Sequence, residues 1–493
     1  MTKASAIPQI IQGGMGVGVS NWRLARAVAM AGHLGVISGT GIDTVFVRRL
    51  QDGDIGGHLR RAMARFPMPQ VAQEALRKYF RPDGRAPGEP YKELPMYRQG
   101  AKVEKEHFTM LATFVEVFLA KEGHDRPIGV NLLTKIQLPT LAGLYGAMLA
   151  GVDVVLMGAG IPKEVPGALD AFAAHQPASM RLEVEGRNPD DPVRMRLDPK
   201  DYWDGPPQEL KRPLFFPIIA SSSLATMLAR KASGRVDGFI IEGPTAGGHN
   251  APPRGDVRLH ERGEPIYGHR DVVDLDKVKE LGLPFWLAGG AGRPGRLQEA
   301  LDVGAAGIQV GTLFAYSDES GILPELKVSV LKAVVEGRAE VFTDPVASPT
   351  GFPFKVVRWE ENPADRVKRE RVCDLGYLRT AYQTAEGRLS YRCASEPIPT
   401  YLKKGGTLEE TEGRKCLCNS LMGTIGIGQS RKNGTIEPPL VTSGDDLVML
   451  TGILAGRSRY GYTAAEAIEY LLGPAPLSSD TPIGVPAAQP SLG

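Results

Sequence analysis

The feature that most constrains this chain is a recurring unit. A short apolar run rich in β-branched residues ends in glycine or another small residue, and an amphipathic stretch follows. Apolar runs occur at Gln9–Gln12, Leu34–Ser38, Ile128–Asn131, Asp153–Met157, Phe216–Ala220, Gly238–Glu242, Phe285–Ala288 and Gly307–Val310. None alternates cleanly between apolar and polar, so each reads as a strand buried on both faces, as in a parallel sheet. Helical stretches are expected at Asn21–Ala31 (with Ser20 as N-cap), Pro139–Ala150, Lys163–Ala174, Ser222–Lys231, Asp274–Leu281, Pro294–Val303 and Glu319–Val335. Strands alternating with helices build right-handed βαβ units. Eight such units within roughly 340 residues predict an α/β (β/α)8 TIM barrel with large insertions and a C-terminal extension.

The apolar stretch from Ala142 to Ile161 carries one charge, Asp153. It divides at Gly151 into a helix-forming half and a β-branched half, so a buried helix followed by a buried strand is expected rather than a membrane span. Composition shifts place the insertions at about 51–100, 175–213 and 252–270 within a barrel of residues 1–343. A polar subdomain over 344–420, a helical segment over 421–472 returning to the barrel, and a Pro/Ser/Ala-rich disordered tail over 473–493 complete the expected organisation.

Charge excludes some partners. Subtracting 56 acidic from 58 basic side chains leaves +2, with no long block of either sign, so neither nucleic acid nor a membrane surface is an expected partner. The N-terminus lacks the apolar core of a secretory leader. Four cysteines in 493 residues suit a reducing, cytoplasmic setting. They are Cys373, Cys393, Cys416 and Cys418, and the one-residue gap of Cys416–Leu417–Cys418 is shorter than usual zinc-ligand spacing. Buried free thiols are expected, and no metal.

In a barrel of this kind chemistry sits at the C-terminal ends of the strands. Those positions hold Gly13–Gly14–Met15–Gly16, Asn131, Gly243 through His249, Gly289–Gly290 and Gly311–Thr312. The last two loops follow strands seven and eight, where such barrels bind phosphate against backbone N–H groups. A phosphate-bearing cofactor is therefore expected. A dinucleotide fingerprint is not: G-x-G-x-x-G fails because Val19 stands where the third glycine belongs. Neither a G-x-S-x-G elbow nor an H-E-x-x-H motif occurs. His249 follows two glycines on this rim and is the candidate general acid or base. The remaining histidines read as structural or surface residues.

Ile10–Gly16, Ala31–Ser38, Glu242–His249, Ala288–Gly290 and Gln309–Thr312 together resemble the nitronate monooxygenase (2-nitropropane dioxygenase) family. Its superfamily also includes flavin-dependent enoyl-acyl carrier protein reductases. The resemblance covers roughly residues 7–320 and implies an FMN-binding barrel. It implies that Gly14, Met15 and Asn131 face the flavin ring, with Glu242, Gly247 and Gly248 beside the cofactor. Gly289, Gly290, Gln309, Gly311 and Thr312 would hold its phosphate end, and His249 would be the catalytic histidine. The implied substrate is a small molecule, either a nitronate or nitroalkane oxidised with O2, or an enoyl thioester reduced with NAD(P)H. The insertions exceed those typical of the monooxygenases and offer a lid, a homodimer surface or a contact for a synthase partner.

Overall fold

A computed structural model describes residues 7–100, 103–203, 209–363, 367 and 369–473. Eight parallel strands form its centre: β1 (Ile10–Gln12), β2 (Gly35–Ser38), β3 (Ile128–Leu133), β4 (Val154–Gly158), β5 (Leu214–Ile219), β6 (Phe239–Glu242), β7 (Phe285–Ala288) and β8 (Gly307–Val310). Each hydrogen-bonds to its sequence neighbour from β2 to β8, and β8 returns to β1. The ring closes at β1 and β2 through the Ile11–Leu34 bridge, with Gln12 N–H donating to Leu34 O at 2.9 Å. All eight expected strands are present within a residue or two of the expected bounds.

Parity along these strands sets the two faces of the ring. Ile11, Val36, Val154, Leu156, Phe216, Ile240 and Trp286 form a core of their own inside the barrel, where the Phe216 and Trp286 rings stack at 5.0 Å. Their neighbours Ile10, Ile37, Val155, Phe215, Ile241 and Ile308 join the larger core beneath the helices.

The surrounding helices are α1 (Trp22–Met30), α2 (Ile42–Gln51), α3 (Val103–Lys121), α4 (Thr140–Leu149), α5 (Val165–Ala173), α6 (Ser222–Lys231), α7 (Leu275–Lys279), α8 (Arg296–Asp302) and α9 (Pro324–Val335). The stretch that imitates a membrane span is split between α4 and β4, and among the described residues no helix is long and apolar enough to cross a membrane. The N-cap of α1 is Asn21, not Ser20: its side chain accepts from Arg23 N–H and Leu24 N–H at 2.8 and 3.0 Å. Ser20 is otherwise engaged, donating to Gly13 O and accepting from Met15 N–H, both at 2.9 Å, so it shapes the first glycine loop. The last barrel helix starts at Pro324 rather than Glu319, with proline at the first turn, where its missing N–H costs nothing.

The insertions are more ordered than their composition suggests. The 51–100 stretch holds helices at His58–Met63 and Pro69–Tyr79, and α2 and α3 flank it. The 175–213 and 344–415 insertions meet in one small sheet, where Val184–Glu185 pairs with Thr380–Gln383. The residues of the expected tail lie, from 474 onward, outside the described residues. After the barrel, β9 (Glu340–Asp344) and β10 (Phe354–Arg358) form an antiparallel pair, and α10 (Ala464–Leu472) lies against α1.

A buried ion pair links two of the unexpected helices. Lys105 Nζ on α3 lies 2.6 Å from Asp43 Oδ2 on α2, and both side chains are almost wholly enclosed. Removing one partner leaves an uncompensated buried charge. Lys105→Met should therefore cost about 3 kcal/mol, read as a lowered denaturation midpoint. The double exchange Asp43→Asn/Lys105→Met should recover part of that loss.

Candidate active site

Strand parity carries Gly13, Asn131, Gly158, Ile218, Glu242, Ala288 and Gln309 to the inner edge of the barrel at its C-terminal end, where all seven line one cavity of about 230 Å³. All twelve residues singled out from the sequence line this cavity: Gly14, Met15, Asn131, Glu242, Gly247, Gly248, His249, Gly289, Gly290, Gln309, Gly311 and Thr312. His249 thus shares a chamber with the 289–290 and 311–312 turns, and no other histidine lines it.

Close approach explains the glycines at two points. A Cβ on Gly14 would lie 2.3 Å from Asn131 Cβ, and Asn131 Nδ2 donates to Gly14 O at 2.9 Å. Gly289 has φ +89°, and a Cβ there would meet Thr245 Oγ1 at 2.7 Å. At both points the missing Cβ lets neighbouring protein pack onto a loop that lines the cavity.

His249 is held on several sides. Its Nε2 lies 2.8 Å from Ser348 Oγ, which in turn lies 2.8 Å from Thr350 Oγ1. Its ring packs edge-on to Phe354 with centroids 4.8 Å apart. Its backbone bridges to the same residue, and the neighbouring Gly248 O accepts from Lys355 N–H at 3.0 Å. Burial, aided by the Lys135 ammonium, brings the imidazole down to about 4, so it is neutral at pH 7. Burial also pushes Glu242 up to about 8, so its carboxyl is largely protonated at pH 7 and can donate a hydrogen bond. Gln309 Oε1 is buried without a partner.

Much of the wall comes from residues that the sequence reading did not assign to the site: Phe354, Tyr377, Leu378, Leu417, Cys418, Leu421, and the run Thr442–Ser443–Gly444 with Asp446. They belong to the late insertion and C-terminal segment, which offer no periodic signal and no recognised motif. Tyr377 donates to Asp43 and lies 2.6 Å from Thr44 Oγ1, tying the roof to the Asp43–Lys105 pair. The Thr312 hydroxyl accepts from Gly444 N–H at 3.0 Å and also bonds to Asp446, whose carboxylate accepts from Gly292 N–H at 3.2 Å. Burial raises Asp446 above its ordinary value, against the pull of its hydrogen bonds with Thr312 and Gly292. The four thiols are free and converge on a small neighbouring cavity, and Cys418 also lines the large one.

A group that binds protons more tightly folded than unfolded loses stability as pH rises. Glu242 moves from 4.5 to about 8, so the folded chain should lose stability as pH rises between those values and level off above them. Glu242→Gln should match wild type at pH 5 and exceed it at pH 9 by roughly 1–3 kcal/mol, read from thermal unfolding. Parallel curves for the two proteins across this range would refute the assignment.

Residues 201–344 match the family model described as nitronate monooxygenase. A curated relative from Mycobacterium tuberculosis, (3aS,4S,5R,7aS)-5-hydroxy-7a-methyl-1-oxo-octahydro-1H-indene-4-carboxyl-CoA dehydrogenase, is 30% identical over 143 residues, 29% of this chain and 36% of that protein. The match thus spans about a third of the relative's length. Among solved structures, FabK from Thermotoga maritima aligns with TM-score 0.47 and 18% identity over 96% of this chain and 94% of that one. Nitroalkane oxidase from Streptomyces ansochromogenes aligns with TM-score 0.42 and 17% identity, over 95% of each chain. From the approach to β5 through β9, the stretch that supplies Glu242, His249, Gly289 and Thr312, this chain matches the nitronate monooxygenase family.

Proposed function

We propose that this chain is an FMN-dependent oxidoreductase that oxidises alkyl nitronates and nitroalkanes with O2, with His249 as general base. One observation carries the reading: a neutral, enclosed imidazole stands in the same chamber as two backbone-lined turns.

The residues present fit a planar group bearing a phosphate. Gly14 and Gly289 lie in loops that line the chamber. Protonated Glu242 offers a donor to a ring that carries acceptors, and the unpartnered Gln309 Oε1 offers an acceptor to a donor on the bound group. Gly14, Met15, Asn131 and Glu242 would hold the ring, with Gly247 and Gly248 along it. Gly289, Gly290, Gln309, Gly311 and Thr312 would hold the phosphate. FMN bound there supplies the electron-accepting chemistry.

His249 takes the α-proton of a neutral nitroalkane, leaving the nitronate. Ser348 fixes the orientation of the ring through Nε2, and Phe354 fixes its tilt. A base that protonates only near pH 4 is unprotonated across the physiological range, at the cost of proton affinity. The apolar roof of Leu378, Leu417 and Leu421 keeps water from the carbanionic carbon. Neutral Glu242 spares an anionic substrate from repulsion, until it ionises near pH 8.

A second reading, reduction of an enoyl thioester with NAD(P)H and His249 as proton donor, is favoured by the curated relative, whose name is that of a CoA-thioester dehydrogenase. In that reading His249, uncharged at pH 7, would have to gain a proton during turnover before donating it.

Purified protein should be yellow and should consume O2 with propionate-3-nitronate in the absence of NAD(P)H. NADPH consumption dependent on an enoyl thioester would favour the second reading instead. His249→Ala should keep its visible spectrum and lose about 100-fold or more on neutral nitroalkane, with activity on preformed nitronate within a few-fold of wild type. Equal loss on both substrates would exclude the base role. The pH profile of kcat/KM should be flat from about 5 to 7 and fall above about 8, and Glu242→Gln should abolish the alkaline fall.

A further inference from the structure

The lining of the cavity contains no lysine or arginine among the described residues. Lys135 stands just outside it, in the loop that follows β3, between Leu133 and Ile136, which do line it. Its Nζ lies 4.2 Å from the centroid of the Phe352 ring, two residues before the Phe354 that packs on His249. Phe354 and His249 line the cavity, and Lys135 and Phe352 lie behind that lining. The ammonium charge is felt at His249.

This lysine is poorly compensated. It is half-buried, and the loss of solvent lowers its proton affinity. No ion pair to it is formed among the described residues. The carboxylate whose charge reaches it, Glu183, is largely exposed and paired with Arg181 at 3.6 Å. A half-buried cation whose only close partner is an aromatic face lacks a counter-ion. Glu242, the acid nearest in role, is held neutral and offers none.

We propose that Lys135 is the substrate-anion anchor of this site: it pairs with a compact oxyanion adjacent to the carbon that His249 serves. This deepens the nitronate reading and rests on it for the identity of the substrate. In a nitronate the negative charge lies on the two oxygens next to the reacting carbon, so pairing those oxygens with Lys135 leaves that carbon facing the imidazole. The selected class is thus substrates that are anionic at the reacting end. A neutral nitroalkane gains the same contact only as its proton leaves.

Inorganic nitrate, a planar oxyanion of similar shape, serves as a binding probe that needs no turnover. Titration calorimetry on the flavin-loaded protein at pH 7 should show nitrate binding, weakened tenfold or more in Lys135→Gln and restored to within threefold in Lys135→Arg. In steady-state assays Lys135→Gln should raise KM for propionate-3-nitronate by a similar factor, change kcat less than threefold, and leave KM for neutral nitroalkane nearly unchanged. Wild-type protein that binds no nitrate, or nitrate binding indifferent to Lys135→Gln, overturns the anchor. If nitrate binding depends on Lys135 but no nitronate is oxidised, the anchor stands and the nitronate reading falls.

Discussion

Everything at this site depends on parity in a closed ring of parallel strands. Once the β1–β2 bridge closes the ring, alternate residues of every strand must face either the axis or the helices. A one-residue slip would carry Asn131, Glu242 and Gln309 out of the chamber together. The inner core of Phe216, Trp286, Ile240 and Val154 resists that slip, because shifting it would bring misfit side chains to the axis. The barrel floor and the chemistry at its rim are thus fixed by the same packing.

Desolvation does the second share of the work. The chamber shifts two titratable groups in opposite directions from one cause: it disfavours charge on Glu242 and on His249 alike. The acid keeps its proton and the base lacks one at the same pH. That division needs no direct contact between the two groups, only shared enclosure. Lys135 adds a further bias against protonating the imidazole, in the same sense as burial.

The barrel strands were legible because burial on both faces writes a short, uninterrupted apolar run, and a glycine follows where backbone must stay bare. The glycine turns on the rim were legible for the same reason, whereas Met15, Asn131, Glu242 and Gln309 were marked only by the family resemblance. Helix α3 was not: thirteen of its side chains are buried, so it has no polar stripe to mark a period of 3.6. Asn21 rather than Ser20 caps α1 because Ser20 is engaged by the glycine loop just before it in the chain, a contact that adjacent-residue capping patterns do not announce. The roof was hidden for a like reason. Tyr377 and Asp446 acquire their roles from residues more than a hundred positions away, Asp43 and Thr312, and long-range hydrogen bonds leave no local trace.

The roof also has a consequence in time. Residues 377–446 close the chamber over a barrel whose last strand ends at Val310 and whose last helix ends at Val335. During synthesis from the N-terminus, the ring can therefore be complete while its chamber still lacks a wall. Until residues 377–446 have been made and seated, Gly247 and Thr312 lack the Ser443–Gly444 turn that packs on them. Any molecule that fills the chamber has its widest access in that interval.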